Sequence, residues 1–276
     1  MLLPPFSPGK NMAILDWLKL PETRGIKDLD DPATTLLHGK ILRSKLFLRK
    51  LYADFYEQFK KAVERPDNKV LVELGSGGGF IKEVILNVIT SDILNGVDVD
   101  KVFSATDMPF EDAGVDAFFM FDVLHHIGEP RKFFAEADRC LAPAGRIVMI
   151  EPANTLWARF IYKNFHHEGF DPKGGWELTK TGPLSQANGA IPWMVFVRDR
   201  AMFEREFPRL KVVSLHNHTP MRYLISGGLT LRQLLPGFAY PVVRALEYLL
   251  SPANNLLGMF MTVIIEKSND GKPVVK

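Results

Sequence analysis

The apolar positions of the chain follow two rhythms. Leu42, Leu46, Leu48, Leu51, Phe55 and Phe59 recur at helical spacing. Asp31-Pro32 opens this region, with a capping acid before a proline suited to the first helical turn, and Pro66-Asp67-Asn68 closes it. The pattern predicts helix from Pro32 to about Arg65, kinked at Gly39. Beyond it the rhythm changes to short continuous apolar runs that end in acids or turns. Strands are predicted near 69–74, 88–93, 115–121 and 146–151, with a weaker one near 101–104. Helix is predicted over 80–88 and from Pro130 to Cys140. After Pro152 the pattern gives a helix near 154–164, a helix from Asp199 to about Phe207, a strand near 210–217 and a last strand from Met259 to Glu266. Two segments interrupt it. One is a Gly/Pro-rich loop ending at Pro192, and the other is an insertion over 219–256 with an apolar helix at 239–250. Short buried strands alternating with helices indicate an α/β domain built on a mostly parallel sheet.

Composition narrows the class. The 276 residues suffice for one large α/β domain, and 46% of them are apolar, enough for a substantial core. Net charge is +2 and no basic or basic–aromatic patch stands out, so nucleic acid is not an expected partner. A single cysteine, Cys140, excludes an intramolecular disulfide and fits a reducing cytoplasm. Its position on the apolar face of a helix reads as a small buried hydrophobe. Met1-Leu2-Leu3-Pro4-Pro5 lacks the charged start and apolar core of a signal peptide. The most apolar region, Phe238 to Ile265, is broken by Pro241, Arg244, Glu247 and Pro252. No stable membrane insertion is expected. A cytoplasmic location is, with peripheral membrane contact left open. Oligomeric state is not legible.

The chemistry concentrates at Val70-Leu71-Val72-Glu73-Leu74-Gly75-Ser76-Gly77-Gly78-Gly79-Phe80. A strand ending in an acid runs into alternating glycines, the strand–turn geometry that cradles nucleotides in open α/β sheets. A dinucleotide fingerprint would need a third glycine where Phe80 stands, and the Gly-Lys-Ser/Thr of a phosphate loop is absent. Glu73 would repel a pyrophosphate and suits a ligand with an ammonium group. Val88-Ile89-Thr90-Ser91-Asp92 ends in a second acid about twenty residues on, where a carboxylate accepts both ribose hydroxyls. Asp98, in Gly96-Val97-Asp98, is the competing candidate.

Further motifs follow in order: Met108-Pro109-Phe110-Glu111-Asp112, Val115-Asp116 through Phe121-Asp122-Val123-Leu124-His125-His126, and Leu141-Ala142-Pro143-Ala144-Gly145 through Glu151-Pro152. Together they resemble the class I S-adenosylmethionine (SAM) methyltransferases, in the group that includes quinone and sterol methyltransferases. The resemblance is firm over residues 68–152. It implies a Rossmann-like, doubly wound, mostly parallel seven-stranded sheet with an antiparallel edge strand and helical cap insertions. It also implies SAM as cofactor and S-adenosylhomocysteine as product. The cofactor residues it implies are Glu73, Gly75, Ser76, Gly77, Gly79, Asp92, Ile93, Ser104, Ala105, Asp107, Phe121 and Asp122. Residues 1–66 would form an N-terminal helical cap, and 67–276 the SAM-binding domain with cap insertions at about 153–197 and 219–256. The chain departs from the family at Ser104, where an acid normally reads the adenine amine. Ser104 would do so more weakly, or Asp107 from a helical turn away. Ala144 replaces a turn glycine. Arg43, Tyr52 or Tyr56 could hold the methionine carboxylate.

Methyl transfer needs alignment and water exclusion more than a catalytic triad, and alignment alone supplies roughly 7–11 kcal/mol. The candidate catalytic residues are His125 and His126 at the carboxyl edge of the sheet, and His167 and Glu168 in His166-His167-Glu168, a base with an orienting carboxylate. A metal shared between His166-His167-Glu168 and His216 or His218 is weighed but not assigned, because adjacent residues bind one ion only with strain. The 153–197 segment reads as a lid hinged at Gly174, Gly175, Gly182 and Pro183. No Asn/Asp-Pro-Pro-Tyr/Phe follows the fourth strand, which argues against methylation of bases or amide nitrogens. The apolar caps favour O- or C-methylation of a small or amphipathic, lipid-like acceptor. Two alternatives remain at this point: a binding module that kept the sheet but lost SAM affinity, supported by Ser104 and Ala144, and a nicotinamide oxidoreductase, opposed by Glu73 and Phe80.

Overall fold

The computed structural model describes residues 17–26, 28–166, 168–179, 182 and 184–269. Seven strands form one sheet: β1 (Leu71–Leu74), β2 (Val88–Asp92), β3 (Lys101–Val102), β4 (Val115–Phe121), β5 (Leu141–Pro152), β6 (Leu210–His218) and β7 (Phe260–Lys267). Their order is β3-β2-β1-β4-β5-β7-β6. Strands β1 to β5 pair in parallel, and β7 runs antiparallel between β5 and the edge strand β6. The order reverses at β1, the topological switch point where open α/β sheets bind ligands. Ala117, Phe118, Phe119 and Met120 of β4 are fully buried, as a strand covered on both faces requires.

The predicted N-terminal helix is two helices, α1 (Pro32–Ser44) and α2 (Leu46–Lys61). The Asp31 carboxylate caps α1 by accepting from the Ala33 N–H at 2.8 Å. The break falls at Lys45, not at Gly39. The Lys45 ammonium is buried and donates to the carbonyls of Gly228 (2.5 Å) and Leu231 (2.7 Å), which holds the chain in an extended conformation there. Helix α2 buries Phe47, Leu48, Leu51, Phe55 and Phe59; the Phe59 ring stacks on Phe119 of the sheet at 5.2 Å, and Phe47 packs edge-on against Tyr240 at 5.0 Å.

The predicted helix over 80–88 is reduced to a single 3-10 turn, Ile81–Glu83. A parallel crossover needs about a dozen residues, and here the glycine turn uses part of a short link. Phe80 instead packs beside Tyr56 at 5.2 Å. Helix α3 (Pro130–Cys140) follows β4, with Cys140 buried, and α4 (Leu156–Phe165) follows β5, capped by the Thr155 hydroxyl. A helical turn (Ile191–Trp193) runs through a π-helical stretch (Met194–Arg198) into α5 (Arg200–Glu206). Asp199 does not cap α5 with its side chain, because its carboxylate accepts from Arg198 and from Trp176 Nε1 at 2.9 Å.

The last insertion carries α6 (Arg222–Ser226), α7 (Tyr240–Leu249) and α8 (Asn254–Leu257). A buried polar knot pins it to α2. The Arg222 guanidinium donates to Glu247, to Asp54 at 2.7 Å and to the Tyr240 hydroxyl at 2.6 Å. The segment before α1 pairs with the same insertion, the Leu20 N–H donating to the Thr230 carbonyl at 2.9 Å. Among the described residues no helix is long and apolar enough to cross a membrane.

Candidate active site

A cavity of about 1230 Å³ opens over the carboxyl ends of β1, β2 and β4. The glycine turn after β1 forms one wall. Gly75 and Gly77 take left-handed φ angles of 66° and 51°, which a side chain would strain. A Cβ at Gly78 would lie 2.4 Å from the Gly39 Cα, so α1 rests directly on the turn. Arg43 does not line the cavity. Its guanidinium donates to the carbonyls of Gly78 (2.7 Å) and Gly79 (2.9 Å) and so fixes the turn from behind. Tyr52 and Tyr56, the other candidates from this helix pair, do line it.

Glu73, Gly75, Ser76, Gly77, Gly79, Asp92, Ile93, Ser104, Ala105, Phe121 and Asp122 all line the cavity. Asp98 and Asp107 are exposed and do not. The Asp92 carboxylate accepts from the Gly77 N–H at 3.0 Å and the Leu94 N–H at 2.9 Å, which ties β2 to the glycine turn. A carboxylate has about four acceptor positions, so it retains capacity for hydroxyl donors. Glu73 is almost fully buried, and its Oε2 has no hydrogen-bond partner among the described residues. Burial, reinforced by the negative charge of Asp92, pushes its carboxyl up to about 7. A buried carboxyl with an open acceptor is what an ammonium group would complete, and the glycine turn leaves the close approach a nucleoside requires. These residues fit SAM. Beside the end of β3, the Ser104 and Thr106 hydroxyls are hydrogen-bonded to each other at 2.8 Å.

The histidine cluster lies at the opposite end. His125 is buried, and its Nδ1 lies 2.8 Å from Glu151 Oε2. Glu151 Oε1 accepts from the N–H groups of Val123 (2.9 Å) and Leu124 (2.7 Å), so this carboxylate fixes the whole turn after β4. His125 Nε2 lies 3.3 Å from Glu168 Oε2, and His126 Nε2 lies 3.7 Å from Glu168 Oε1. His126 Nδ1 donates to the Gln186 carbonyl at 3.0 Å. Against the cost of burial, Glu151 and Glu168 hold His125 protonated well above the usual imidazole range. Against the same cost, His125 first and then His126 and His166 hold Glu168 well below the usual carboxylate range. Asp122 takes a left-handed φ of 61°, and burial pushes its carboxyl up to about 7.

Glu168 and His126 line the cavity, whereas His125 sits behind them. His167 lies outside the described residues, as does the hinge candidate Pro183. His216 and His218 belong to β6, away from this cluster. His218 is 2.8 Å from each of the Thr219 and Thr262 hydroxyls, and burial lowers it to about 3. Among the described residues, two groups of side chains could hold a cation: His125, His126 and Glu168, and Asp122, His125 and Glu151.

Residues from each of the three segments expected to form caps line the cavity. Thr35 and Leu42 come from α1, Tyr162, Leu178 and Leu184 from the 153–197 segment, and Tyr223 and Leu224 from the 219–256 insertion. Sequence reasoning missed Glu151 as the partner of His125, although it stands in the quoted Glu-Pro motif. It also missed Tyr162 and Tyr223, which carry no local signal, and Asp30. Asp30 latches the cap loop by accepting from the N–H groups of Leu184 (2.6 Å) and Ser185 (2.9 Å) and from the Ser185 hydroxyl (2.6 Å).

Residues 72–149, the stretch from β1 through β5, match the family model described as Methyltransferase domain. No curated protein matches the chain. Solved structures resemble it at low identity. A SAM-dependent methyltransferase from Archaeoglobus fulgidus shares 14% identity at a TM-score of 0.49, with 79% of this chain and 94% of that one covered. One from Mesorhizobium loti shares 13% at 0.45, covering 76% and 96%. The geranyl diphosphate C-methyltransferase of Streptomyces coelicolor A3(2), solved with Mg2+, geranyl diphosphate and S-adenosyl-L-homocysteine, shares 14% at 0.42, covering 81% and 78%. The matched segment carries the glycine turn, Glu73, Asp92 and the β4 edge, so the part of the chain that builds the parallel core of the sheet matches a methyltransferase domain.

Proposed function

We propose that the chain methylates an oxygen or carbon of a small or amphipathic, lipid-like acceptor held between the sheet and the cap. One observation carries this reading: a single cavity is lined both by the glycine turn with Asp92 and by the cap residues Tyr162, Tyr223 and Glu168. At about 1230 Å³ it exceeds the roughly 300–1,000 Å³ of a site for one drug-sized ligand, which suits a cofactor and an acceptor together.

In this reading Asp92 accepts the ribose hydroxyls, Glu73 faces the ammonium, and Ile93 with the Ser104-Ala105 backbone borders the adenine. The cofactor supplies a methyl group already activated on a sulfonium sulfur. The chain's own work is alignment and exclusion of water. Glu168, kept ionised by His125, orients an acceptor hydroxyl toward the methyl carbon. His126 Nε2 takes the hydroxyl proton as the oxygen–carbon bond forms and the sulfur–carbon bond breaks. His125, held by Glu151, is a positioning residue. His167 remains a candidate by its place next to Glu168.

The outer face of the cap supports a lipid-like acceptor and a cytoplasmic, membrane-peripheral location. Phe238, Val242, Leu246, Tyr248 and Leu249 are exposed. The only acid between residues 219 and 256 is Glu247, buried against Arg222, so the exposed charges of that insertion are Arg232 and Arg244. Contiguous apolar surface with basic charge favours an anionic lipid surface. The test is turnover on a panel of quinone, polyketide and isoprenoid acceptors. His126→Ala and Glu168→Gln should lower the rate about a hundredfold, with SAM affinity unchanged. Equal loss of SAM affinity in both variants would contradict the assignment.

A further inference from the structure

We infer that Asp122 serves the methyl acceptor rather than the cofactor, and that it binds a hydrogen-bond-donating head, hydroxyl or ammonium, on an otherwise flat and apolar acceptor. The family resemblance places Asp122 among the cofactor residues, but its own geometry sets it apart. Its backbone is left-handed, at a φ of 61°. A non-glycine residue held there is strained, and such residues gather at ligand sites. The surroundings fix the strain. The Asp122 N–H donates to the Ile150 carbonyl at 2.9 Å, and Glu151 holds the next two N–H groups. The carboxylate is also unspent. Its Oδ1 is buried and has no hydrogen-bond partner among the described residues. That oxygen lies 3.9 Å from His125 Nδ1, which is already committed to Glu151 at 2.8 Å. Of the three carboxylates around this imidazole, Glu151 and Glu168 pair with it, and Asp122 stays beyond hydrogen-bond reach.

The Asp122 side chain keeps 33% of its surface exposed, toward the cavity it lines. It also borders an adjoining recess with Tyr162, Glu168, Tyr223 and Phe260, to which the glycine turn contributes nothing. Tyr52, Tyr162 and Tyr223 reach its charge from three elements, α2, α4 and α6. Burial holds all three hydroxyls well above the usual phenol range, and the negative charge of Asp122 adds to this in each. The rings beside it form a continuous aromatic wall. Phe121 meets Tyr52 at 4.7 Å and Phe260 at 5.9 Å, and Phe260 meets Tyr223 at 5.0 Å. An apolar wall with one unspent acceptor fits a flat body that carries a donor. A neutral hydroxyl supplies the donor, and so does an ammonium, which the aromatic faces would also attract. A site built around such a hydrogen bond rejects an analogue that lacks the donor, because its own polar group is then left unpaired. Asp122 thus selects the acceptor, while Glu168 and His126 keep the roles proposed above.

This assignment rests on the acceptor end proposed above, yet binding tests it without turnover, so methyl transfer and the assignment can fail separately. Two variants suit the left-handed backbone: Asp122→Asn removes only the charge, and Asp122→Gly removes the whole group. Circular dichroism confirms that each folds. Calorimetry with S-adenosylhomocysteine comes first, and both variants should bind it as tightly as the wild type. Three probes are then titrated into the protein saturated with S-adenosylhomocysteine: naphthol, naphthylmethylamine in its ammonium form, and methoxynaphthalene, which keeps the body and lacks the donor. The wild type should bind one of the two donors roughly 10–100-fold more tightly than the methyl ether. The preferred donor identifies the head. Asp122→Gly should abolish the preference without weakening the methyl ether, and Asp122→Asn should reduce it about tenfold. A folded Asp122→Asn protein with clearly weaker S-adenosylhomocysteine binding would return the residue to the cofactor and overturn the assignment. A wild type with no preference for a donor, including one that binds none of the probes, would overturn it too. So would a folded Asp122→Gly protein that keeps the preference.

Discussion

If Glu73 faces the cofactor's ammonium as proposed, it couples cofactor binding to pH. Its folded pKa of about 7 lies above the 4.5 of an ordinary glutamate, raised first by burial and then by Asp92, with the Ser76 hydrogen bond opposing. A raised carboxyl stabilises the fold fully below its unfolded value, and that contribution is lost as pH rises through about 7. An ammonium beside Glu73 favours the charged form. SAM affinity should therefore fall below pH 7, by up to about tenfold per pH unit, while the cofactor-free protein loses stability over the same rise from 4.5 to 7. Calorimetry across pH checks this. The same slope in Glu73→Gln would show that another group is responsible. Gly78 makes a second residue-scale forecast. A Cβ there meets the backbone of α1 at 2.4 Å, so Gly78→Ala must push α1 off the turn. The expected cost is about 1–3 kcal/mol of stability, together with weaker SAM binding, read by thermal shift with and without cofactor.

At the scale of elements, two polar clusters clasp the segments around the cavity, beside apolar contacts such as Phe47–Tyr240 and Tyr223–Phe260. Arg222 joins Glu247, Asp54 and Tyr240 between α6, α7 and α2. Removing one partner of a buried ion pair leaves the other uncompensated, at about 3–5 kcal/mol. Arg222→Ala should therefore destabilise the protein by that order in urea titrations, and a change below about 1 kcal/mol would show that water reaches Glu247. Asp30 forms the second clasp, to the loop at Leu184 and Ser185. Asp30→Ala should raise hydrogen exchange in that loop and leave β1 to β5 protected. Unchanged exchange would mean the loop is held by other contacts.

The elements were legible where local pattern and tertiary demand agree. The fully buried β4 read as an unbroken apolar run, and α3 read from Pro130 to Cys140. They were misread where a distant partner decides. The α1–α2 break is set by carbonyls of Gly228 and Leu231, far along the chain from Lys45. Helix propensity over 80–88 lost to the length of the crossover. Asp199 stands at the start of the helix expected from it to about Phe207, but Arg198 and Trp176 take its carboxylate.

At the scale of the molecule, the sheet end of the site was far more legible than the cap end. The glycine turn, Glu73 and Asp92 lie within one stretch of chain that a local motif describes. The end proposed to hold the acceptor is assembled from α4, the loop at Glu168, Tyr223 of the insertion and the turn after β4, and no local pattern links them. The meeting of His125, Glu151 and Glu168 depends on β5 lying beside β4 and on the cap folding back over both. If the cap's exposed apolar face meets lipid, binding to anionic vesicles should weaken with salt and with Phe238→Asp. Salt-independent binding would exclude a role for Arg232 and Arg244.

The central claim is that the cavity over β1 and β2 is the cofactor site and that Asp92 is its ribose acceptor. Calorimetric titration of S-adenosylhomocysteine into the wild type, Asp92→Ala and Asp98→Ala tests it most directly. A charge-assisted hydrogen bond contributes about 1.5–3 kcal/mol. Asp92→Ala should therefore weaken binding by one to two orders of magnitude, while Asp98→Ala, at an exposed position outside the cavity, matches the wild type. The opposite pattern, or a folded wild type that binds no S-adenosylhomocysteine, would contradict the account.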